Sequence, residues 1–321
     1  MTQISFPGLG IGPFSLNPVA FTLFGKDVYW YGIIIAAGFL IAVAVCMQLA
    51  KKSKSISPDN ILDIVLIGLP VAIVCARLYY VAFNFSSYRE NPADIFKIWK
   101  GGMAIYGGLI GAALSTFLYC KKKRLSLGDT FDICSVGLVI GQAIGRWGNF
   151  VNAEAYGGAT ALPWRMRILE PDWIQAIEVH PTFLYESLWN AAVLVVLLFL
   201  LKRKKASGQV FLTYVAAYGA GRFWIEGLRA DSLYLGPVRI SQVVALISAV
   251  VAILAMLFLL HDQKRETQRL ALAGASTSAA PEEMEGAPHK EAPEPDGGQS
   301  ETDGGQPGTE DGRPEADGGE N

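Results

Sequence analysis

VYWYGIIIAAGFLIAVAVCMQLA, from Val28 to Ala50, holds no charged side chain and is bounded by Asp27 and Lys51. Roughly 20 predominantly apolar residues are what an α-helix needs to cross the hydrocarbon core of a bilayer. In lipid every backbone polar group must be satisfied internally, so such a run reads as a helix. Gly101 to Cys120, between Lys100 and Lys121, and Ile240 to His261, between Arg239 and Asp262, repeat the pattern. Four further runs are shortened or interrupted by ionisable groups: Ile61 to Phe83 with Asp63 and Arg77, Thr130 to Gly145 running into Arg146, Ser187 to Leu201, and Val210 to Ile225 with Arg222 inside. The fifth can be extended by the residues ahead of Glu186. The sequence thus predicts an all-α polytopic membrane protein of seven transmembrane helices, with a small external head in the loop after span four.

Composition agrees and excludes a soluble globular enzyme. Of 321 residues 51% are apolar and 17% charged, and the charge is unevenly placed. Beyond Pro281 thirteen acidic residues face only Lys290 and Arg313, which leaves about +9 on the first 280 residues. Lysine and arginine flanking membrane spans are held on the cytoplasmic side. Lys51-Lys52-Ser53-Lys54, Lys121-Lys122-Lys123-Arg124, Lys202-Arg203-Lys204-Lys205 and Lys264-Arg265 with Arg269 follow spans one, three, five and seven. All four clusters therefore share one side. Residues 1–270 form the membrane domain, with the N-terminus external and the C-terminus cytoplasmic. The external loops are Asn84 to Lys100, Phe150 to Glu186 and Gly227 to Arg239. No charged n-region precedes the first span, so Phe6 to Phe24, rich in Gly, Pro and Phe, reads as an external interfacial segment. Residues 271–321, with Asp-Gly-Gly at 296, 303 and 317, have too little apolar surface to order and are expected to be a disordered acidic cytoplasmic tail. Cys46, Cys75, Cys120 and Cys134 fall one each in or beside spans one to four without CxxC spacing, so they read as small buried apolar residues.

Charged side chains at bilayer depth are costly, and they mark functional sites by default. Here they gather toward the external half. Span four carries Gly137, Gly141 and Gly145 on one smooth face and then Arg146, Asn149, Asn152 and Glu154 within two turns, with Gly148 and Gly157 as points where the chain can leave the helix. The amides beside Arg146 favour a bound anion over a simple Arg146–Glu154 pair. In span six Tyr218, Arg222, Glu226 and Arg229 recur at helical spacing, which puts them on one face. Guanidinium stays protonated and presents a planar fork to phosphate oxygens, so two such helices at one level can hold a phospholipid headgroup. Tyr106 opens span three beside Gly107. His180, in His180-Pro181-Thr182-Phe183-Leu184-Tyr185-Glu186, is the one histidine of the external loops, next to a phenol and a carboxylate.

Together these blocks resemble the bacterial prolipoprotein diacylglyceryl transferases. The signature reads Gly145-Arg146-Trp147-Gly148-Asn149-Phe150-Val151-Asn152-Ala153-Glu154 with Gly157. Tyr29-Trp30-Tyr31-Gly32, Ala76-Arg77-Leu78-Tyr79-Tyr80-Val81, His180-Pro181-Thr182 with Tyr185-Glu186, Tyr218-Gly219-Ala220-Gly221-Arg222 with Glu226, and Ser241-Gln242 support it. The resemblance covers roughly residues 15 to 262 and leaves the tail outside. It implies seven spans, a multi-pass position in the bacterial cytoplasmic membrane, and transfer of the diacylglyceryl group of phosphatidylglycerol to the lipobox cysteine of a prolipoprotein, forming a thioether and releasing glycerol phosphate.

The resemblance further implies that Arg146 binds the phosphatidylglycerol headgroup and Arg222 is essential, with Tyr31, Asn149, Glu154, Gly157, Tyr218 and Glu226 shaping the site. Well-studied members carry a histidine where this chain has Tyr106. A phenol with a pKa of about 10 is a poor base at neutral pH, so the acceptor of the thiol proton lies open between Tyr106 and His180. No glycine-rich phosphate loop with a lysine, HExxH motif or acidic metal cluster is found, so neither cofactor, metal nor nucleic acid is expected. The competing class is an anionic-lipid transporter whose path the same arginines line; such proteins often show internal repeats, which this chain lacks.

Overall fold

The computed structural model of the protein describes residues 1–230, 234–235 and 238–278. Met1–Ala271 form one compact unit, and of the second, Leu272–Asn321, only the end of a helix is described. Most of the chain is helical. The helices are α1 (Trp30–Ala50), α2 (Pro58–Phe83), α3 (Ile105–Lys123), α4 (Leu127–Val151), α5 (Thr182–Arg203), α6 (Gln209–Glu226) and α7 (Ile240–Ser278). Among the described residues five of them, α1, α2, α4, α5 and α7, are long and apolar enough to cross a membrane. Helices α3 and α6 are shorter, 19 and 18 residues, and carry Lys121–Lys123 and the Arg222/Glu226 pair within their length. The helix α5 begins ahead of Glu186, at Thr182, so the extension considered from sequence is realised. The acidic segment after Ser278 lies outside the described residues.

Local signals place the helix starts. Ser57 and Ser126 accept the Asn60 and Asp129 amides at 3.3 Å, each satisfying an orphan donor of the first turn, and Pro58 sits at the first position of α2. Helix α4 is central, packing against α1 on one side and α5 and α6 on another, around Ala42, Val136, Val139, Val193, Leu197, Val210 and Tyr214. The glycine face of α4 is only partly used: a Cβ on Gly137 would stand 2.6 Å from Cys46 Sγ of α1, whereas Gly141 faces open space.

The all-α expectation needs correction at one end, where strands build the head. β1 (Thr2–Phe6) pairs antiparallel with β2 (Ile11–Leu16) and with β5 (Met166–Leu169), and β5 pairs with β6 (Ile177–Val179), giving the order β2-β1-β5-β6. The stretch read as an interfacial segment therefore contributes β2 and β3 (Val19–Leu23), and β3 meets β4 (Lys26–Tyr29), just beyond that stretch, across Phe24-Gly25, both at positive φ as a two-residue hairpin requires. Ile4, Met166, Ile168, Val179 and Phe183 form the head's own core. These strands are three to six residues long, which leaves too little periodicity to recognise, and the β1–β5 pairing joins segments far apart in sequence.

At the opposite end the segments after α1, α3 and α5 converge on the start of α4. Ile56 packs with Ile133, Cys120 Sγ meets Thr130 Oγ1 at 3.3 Å, and Lys204 binds Asp129. Asp132 is fully buried there and caps a neighbouring helix. Its Oδ2 accepts from Gly208 N at 3.0 Å and its Oδ1 from Phe211 N at 2.9 Å, supplying α6 with the side-chain cap that Gly208 lacks. Lys204 Nζ donates to the same carboxylate at 2.7 Å. Burial alone would push the Lys204 ammonium down, but hydrogen bonds and charge from Asp129 and Asp132 carry its pKa above the usual lysine value. Its contribution to stability is therefore complete at neutral pH and is lost only as pH rises through that raised value.

Removing the buried partner leaves two helix amides uncapped and Lys204 with Asp129 alone. Asp132→Ala is expected to lower stability by about 3 to 5 kcal/mol, and more than Asp129→Ala, in thermal unfolding of the detergent-solubilised protein. Equal losses for the two substitutions would contradict the capping role.

Candidate functional site

Glu186, one turn into α5, is 4% exposed, and a carboxylate buried this deeply in a membrane bundle requires cations. It receives them from separate elements. Arg146 of α4 places Nη2 at 2.5 Å from Oε2, and Arg222 of α6 places Nη1 at 3.2 Å from Oε1. Arg229, just past the end of α6, approaches Oε1 at 3.7 Å. Glu226 forms the second anionic centre, with Arg222 Nη2 at 2.6 Å and Arg229 Nε at 4.0 Å, while Arg239 donates to its backbone carbonyl. Three guanidinium groups and two carboxylates thus share one cluster. The Arg146 and Arg222 side chains each keep 20% of their surface exposed, so a ligand can reach both.

A rim of amides extends from Arg146. Asn149 Oδ1 accepts from Arg146 Nη1 at 3.4 Å, and Asn149 Nδ2 and Asn152 Nδ2 donate to Glu154 Oε1 at 2.8 and 3.4 Å. Arg146 thus pairs with Glu186 rather than Glu154, and Asn149 stands between. The helix does not end at Gly148: α4 runs to Val151, and the chain turns through Ala153 and Ala155 at φ of 52° and 56°. Gly148 is needed for a close approach instead, since a Cβ there would meet the Tyr31 ring at 2.8 Å. Gly157 is a junction. Its N–H donates to the His180 carbonyl at 3.0 Å, it bridges to Arg229, and a Cβ would fall 2.6 Å from His180 Cβ and 2.9 Å from the Leu228 carbonyl oxygen.

The remaining sequence candidates divide. Tyr218 lies one turn before Arg222 and stacks on Tyr214 with ring centroids 5.8 Å apart. His180 Nδ1 is 3.3 Å from the Tyr185 hydroxyl, whose oxygen accepts Trp164 Nε1–H at 2.7 Å, and the imidazole tautomer sets which of the two donates. Thr182 Oγ1 donates to the Ala155 carbonyl at 2.5 Å and ties this corner to the turn after α4. Tyr106 is not drawn in. It stands in the first turn of α3, 47% exposed, without a hydrogen bond or ion pair among the described residues, and α3 packs on α2 through Gly107. Arg77 is fully committed elsewhere, donating to the carbonyls of Asp94, Ile95, Gly101 and Gly102 at 2.6 to 2.8 Å and so fixing the segment between α2 and α3. Glu186 is the residue that sequence reasoning undervalued. Its signal was present, as the lone charge interrupting span five, but only the structure shows that it joins Arg146 to Arg222.

A family model for prolipoprotein diacylglyceryl transferase matches residues 18–258 of this chain. The chain is 46% identical over 249 residues to a phosphatidylglycerol--prolipoprotein diacylglyceryl transferase of Clostridioides difficile, covering 78% of this chain and 98% of the relative. It is 45% identical over 250 residues to the protein of that name from Bacillus velezensis, covering 76% and 92%. With the Finegoldia magna protein of that name identity is 47% over 232 residues, covering 72% and 91%.

Because Glu186 is the common partner of three guanidiniums, Glu186→Gln is expected to lower the unfolding temperature in detergent well beyond Glu154→Gln, whose exposed carboxylate takes only amide hydrogen bonds. The buried change removes a charge that others depend on, a loss of about 3 to 5 kcal/mol; the exposed one falls within about 0.5 kcal/mol. Greater damage from the Glu154 substitution would contradict this hierarchy.

Proposed function

Since this chain belongs to the prolipoprotein diacylglyceryl transferase family, we propose that it moves the diacylglyceryl group of phosphatidylglycerol onto the lipobox cysteine of a prolipoprotein, with the arginine hub as the phosphate site. In the step so assigned, the cysteine sulfur attacks the glyceryl carbon that bears the phosphate. A C–S bond forms, the C–O bond breaks, and its electron pair leaves with glycerol phosphate. The observation that carries the reading is the Glu186 bridge, which holds Arg146 and Arg222 from two helices at one point with both side chains still partly exposed. As the C–O bond breaks, negative charge grows on the leaving phosphate, and a preorganised pair of guanidiniums is most effective where charge develops. Asn149, Glu154 and Gly157 hold Arg146 and the turn beside it, Tyr31 packs the entry face of α4, and Tyr218 and Glu226 orient Arg222.

A free thiol titrates at about 8.5, and neighbouring guanidiniums raise its thiolate fraction. We assign the proton acceptor to His180 with Tyr185, because imidazole is the side chain ordinarily suited to proton transfer near neutral pH. Tyr106, half exposed and unbonded, is left as at most a hydrogen-bond donor to the lipid. In this proposal α3 and α6 complete seven spans, the strand-built head and the arginine hub face outside the cytoplasmic membrane, and the basic segments with the acidic tail of residues 271–321 lie in the cytoplasm. The excess of lysine and arginine at the end where α4 begins supports that orientation.

Transfer from labelled phosphatidylglycerol to a lipobox peptide by the purified protein tests the reading. Arg146→Lys is expected to lose about 10²- to 10³-fold in rate although the charge is kept, since a point ammonium cannot reproduce the planar fork. Arg222→Ala should lose at least as much while still inserting in the membrane. Near-normal transfer by both would reduce the hub to a structural ion-pair network.

The pH dependence separates the two candidate bases. Tyr106→Phe is expected to keep the wild-type pH profile with a rate loss of about 10- to 150-fold, the worth of one hydrogen bond to a charged group. His180→Ala should flatten the limb that reports the base. A profile altered by the phenylalanine instead would make Tyr106 the acceptor.

A further inference from the structure

One helical turn below the arginine hub, toward the end where α4 begins, the bundle carries a second polar layer. The registers of α5 against its neighbours are fixed by contacts already described and two more. Arg146 meets Glu186 and the Ala143 carbonyl accepts from Ser187 Oγ on one side; Arg222 meets Glu186 and the Ala217 carbonyl accepts from Trp189 Nε1 on the other. As residue numbers rise along α5 they fall along α4 and α6. Advancing one turn from Glu186 to Asn190 therefore brings Gln142 of α4 and Tyr218 of α6 to the same level.

That layer is not satisfied by the protein. Asn190 is 2% exposed, and its Oδ1 is buried with no hydrogen-bond partner among the described residues. Gln142 Oε1 is likewise buried and unpartnered, while its Nε2 donates to the Tyr214 hydroxyl at 2.9 Å. Buried amide groups are ordinarily paired, and two exceptions at one depth on facing helices, beside the phenol of Tyr218, ask for a common partner. A hydroxyl both donates and accepts, so it satisfies an amide whichever end is turned toward it. One turn of helix rises about 5.4 Å, close to the span from a phosphorus atom to the terminal hydroxyl of its glycerol ester.

Resting on the transferase reading, we infer that Gln142 and Asn190 form a hydroxyl-binding subsite that takes the glycerol end of a phosphoglycerol while Arg146 and Arg222 hold its phosphate. The subsite makes the enzyme selective for a polyhydroxy headgroup. Gln142 and Asn190 act there as specificity-determining residues and take no part in bond breaking. The lipid headgroup and the released glycerol phosphate share this chemistry, so both are expected to use it.

The test compares two donor lipids of identical acyl chains with full-length protein and a lipobox peptide. These are phosphatidylglycerol and phosphatidylpropanol, which keeps the phosphodiester and the three-carbon chain but lacks the hydroxyls. Wild type should use phosphatidylpropanol with a kcat/KM about 10- to 100-fold lower. In Gln142→Met and Asn190→Leu the ratio between the lipids should fall toward one, chiefly through loss of phosphatidylglycerol use. Wild-type protein that uses the two lipids equally would overturn the inference, whatever the variants do. So would folded variants, judged by thermal unfolding, that keep the wild-type ratio. Free glycerol 1-phosphate should inhibit wild type more strongly than inorganic phosphate, and that advantage should shrink in the variants. If selectivity were confined to this soluble ester, the lipid assignment would fall. Absence of transfer from either lipid by wild type would instead overturn the transferase reading, and this inference with it.

Discussion

A single buried carboxylate, Glu186, sets the terms for the arrangement of the central helices. An unpaired anion at that depth is prohibitive, and one pairing from one helix would leave the rest of its lone pairs without partners. Glu186 takes guanidiniums from α4, from α6 and from the segment beyond α6, so three elements are drawn to one level of the bundle. Arg146 and Arg222 each stay partly exposed after pairing. In the function proposed for it, the same cluster receives the phosphodiester, so that stability and ligand recognition share one set of side chains.

Helix α6 shows how the constraint is distributed. Its N-terminus is met by the buried Asp132 carboxylate, and Arg222 and Arg229 lie in or just beyond its last turns. An anion at the start and cations at the end both complement the helix dipole. With α6 fixed at each end, Arg222 is presented to Glu186 at a defined height, and the Gln142, Asn190 and Tyr218 layer falls one turn below. The head contributes at the other side of the hub. Its strands anchor the turn after α4 through Ala153, and Gly157 joins that turn to His180 and Arg229.

Much of this was legible in the sequence, for identifiable reasons. Uncharged runs announce helices because lipid admits few alternatives, and the spacing of Tyr218, Arg222 and Glu226 announces a face because the helix period is fixed. The Arg146 to Gly157 signature could be read as an anion site from its density of amides. What stayed hidden depends on partners distant in sequence. Strand β1 is recognisable only beside β5, and Asp132 looks like an awkward charge near the start of span four until the amides of Gly208 and Phe211 are set against it. Glu186 marked a span boundary on paper and is the centre of the site in space. Tyr106 shows the converse. Its position in a family pattern singled it out, yet its side chain is 47% exposed and makes no hydrogen bond among the described residues.

The most direct measurement is an experimental structure of the protein with phosphatidylglycerol bound in a lipid nanodisc. The account predicts one phosphate within charge-assisted hydrogen-bonding distance, about 2.7 to 2.9 Å, of guanidinium nitrogens from both Arg146 and Arg222, with Glu186 still bridging the two side chains. A phosphate seated away from both arginines, with the Arg146–Glu186–Arg222 bridge closed against it, would contradict the central claim.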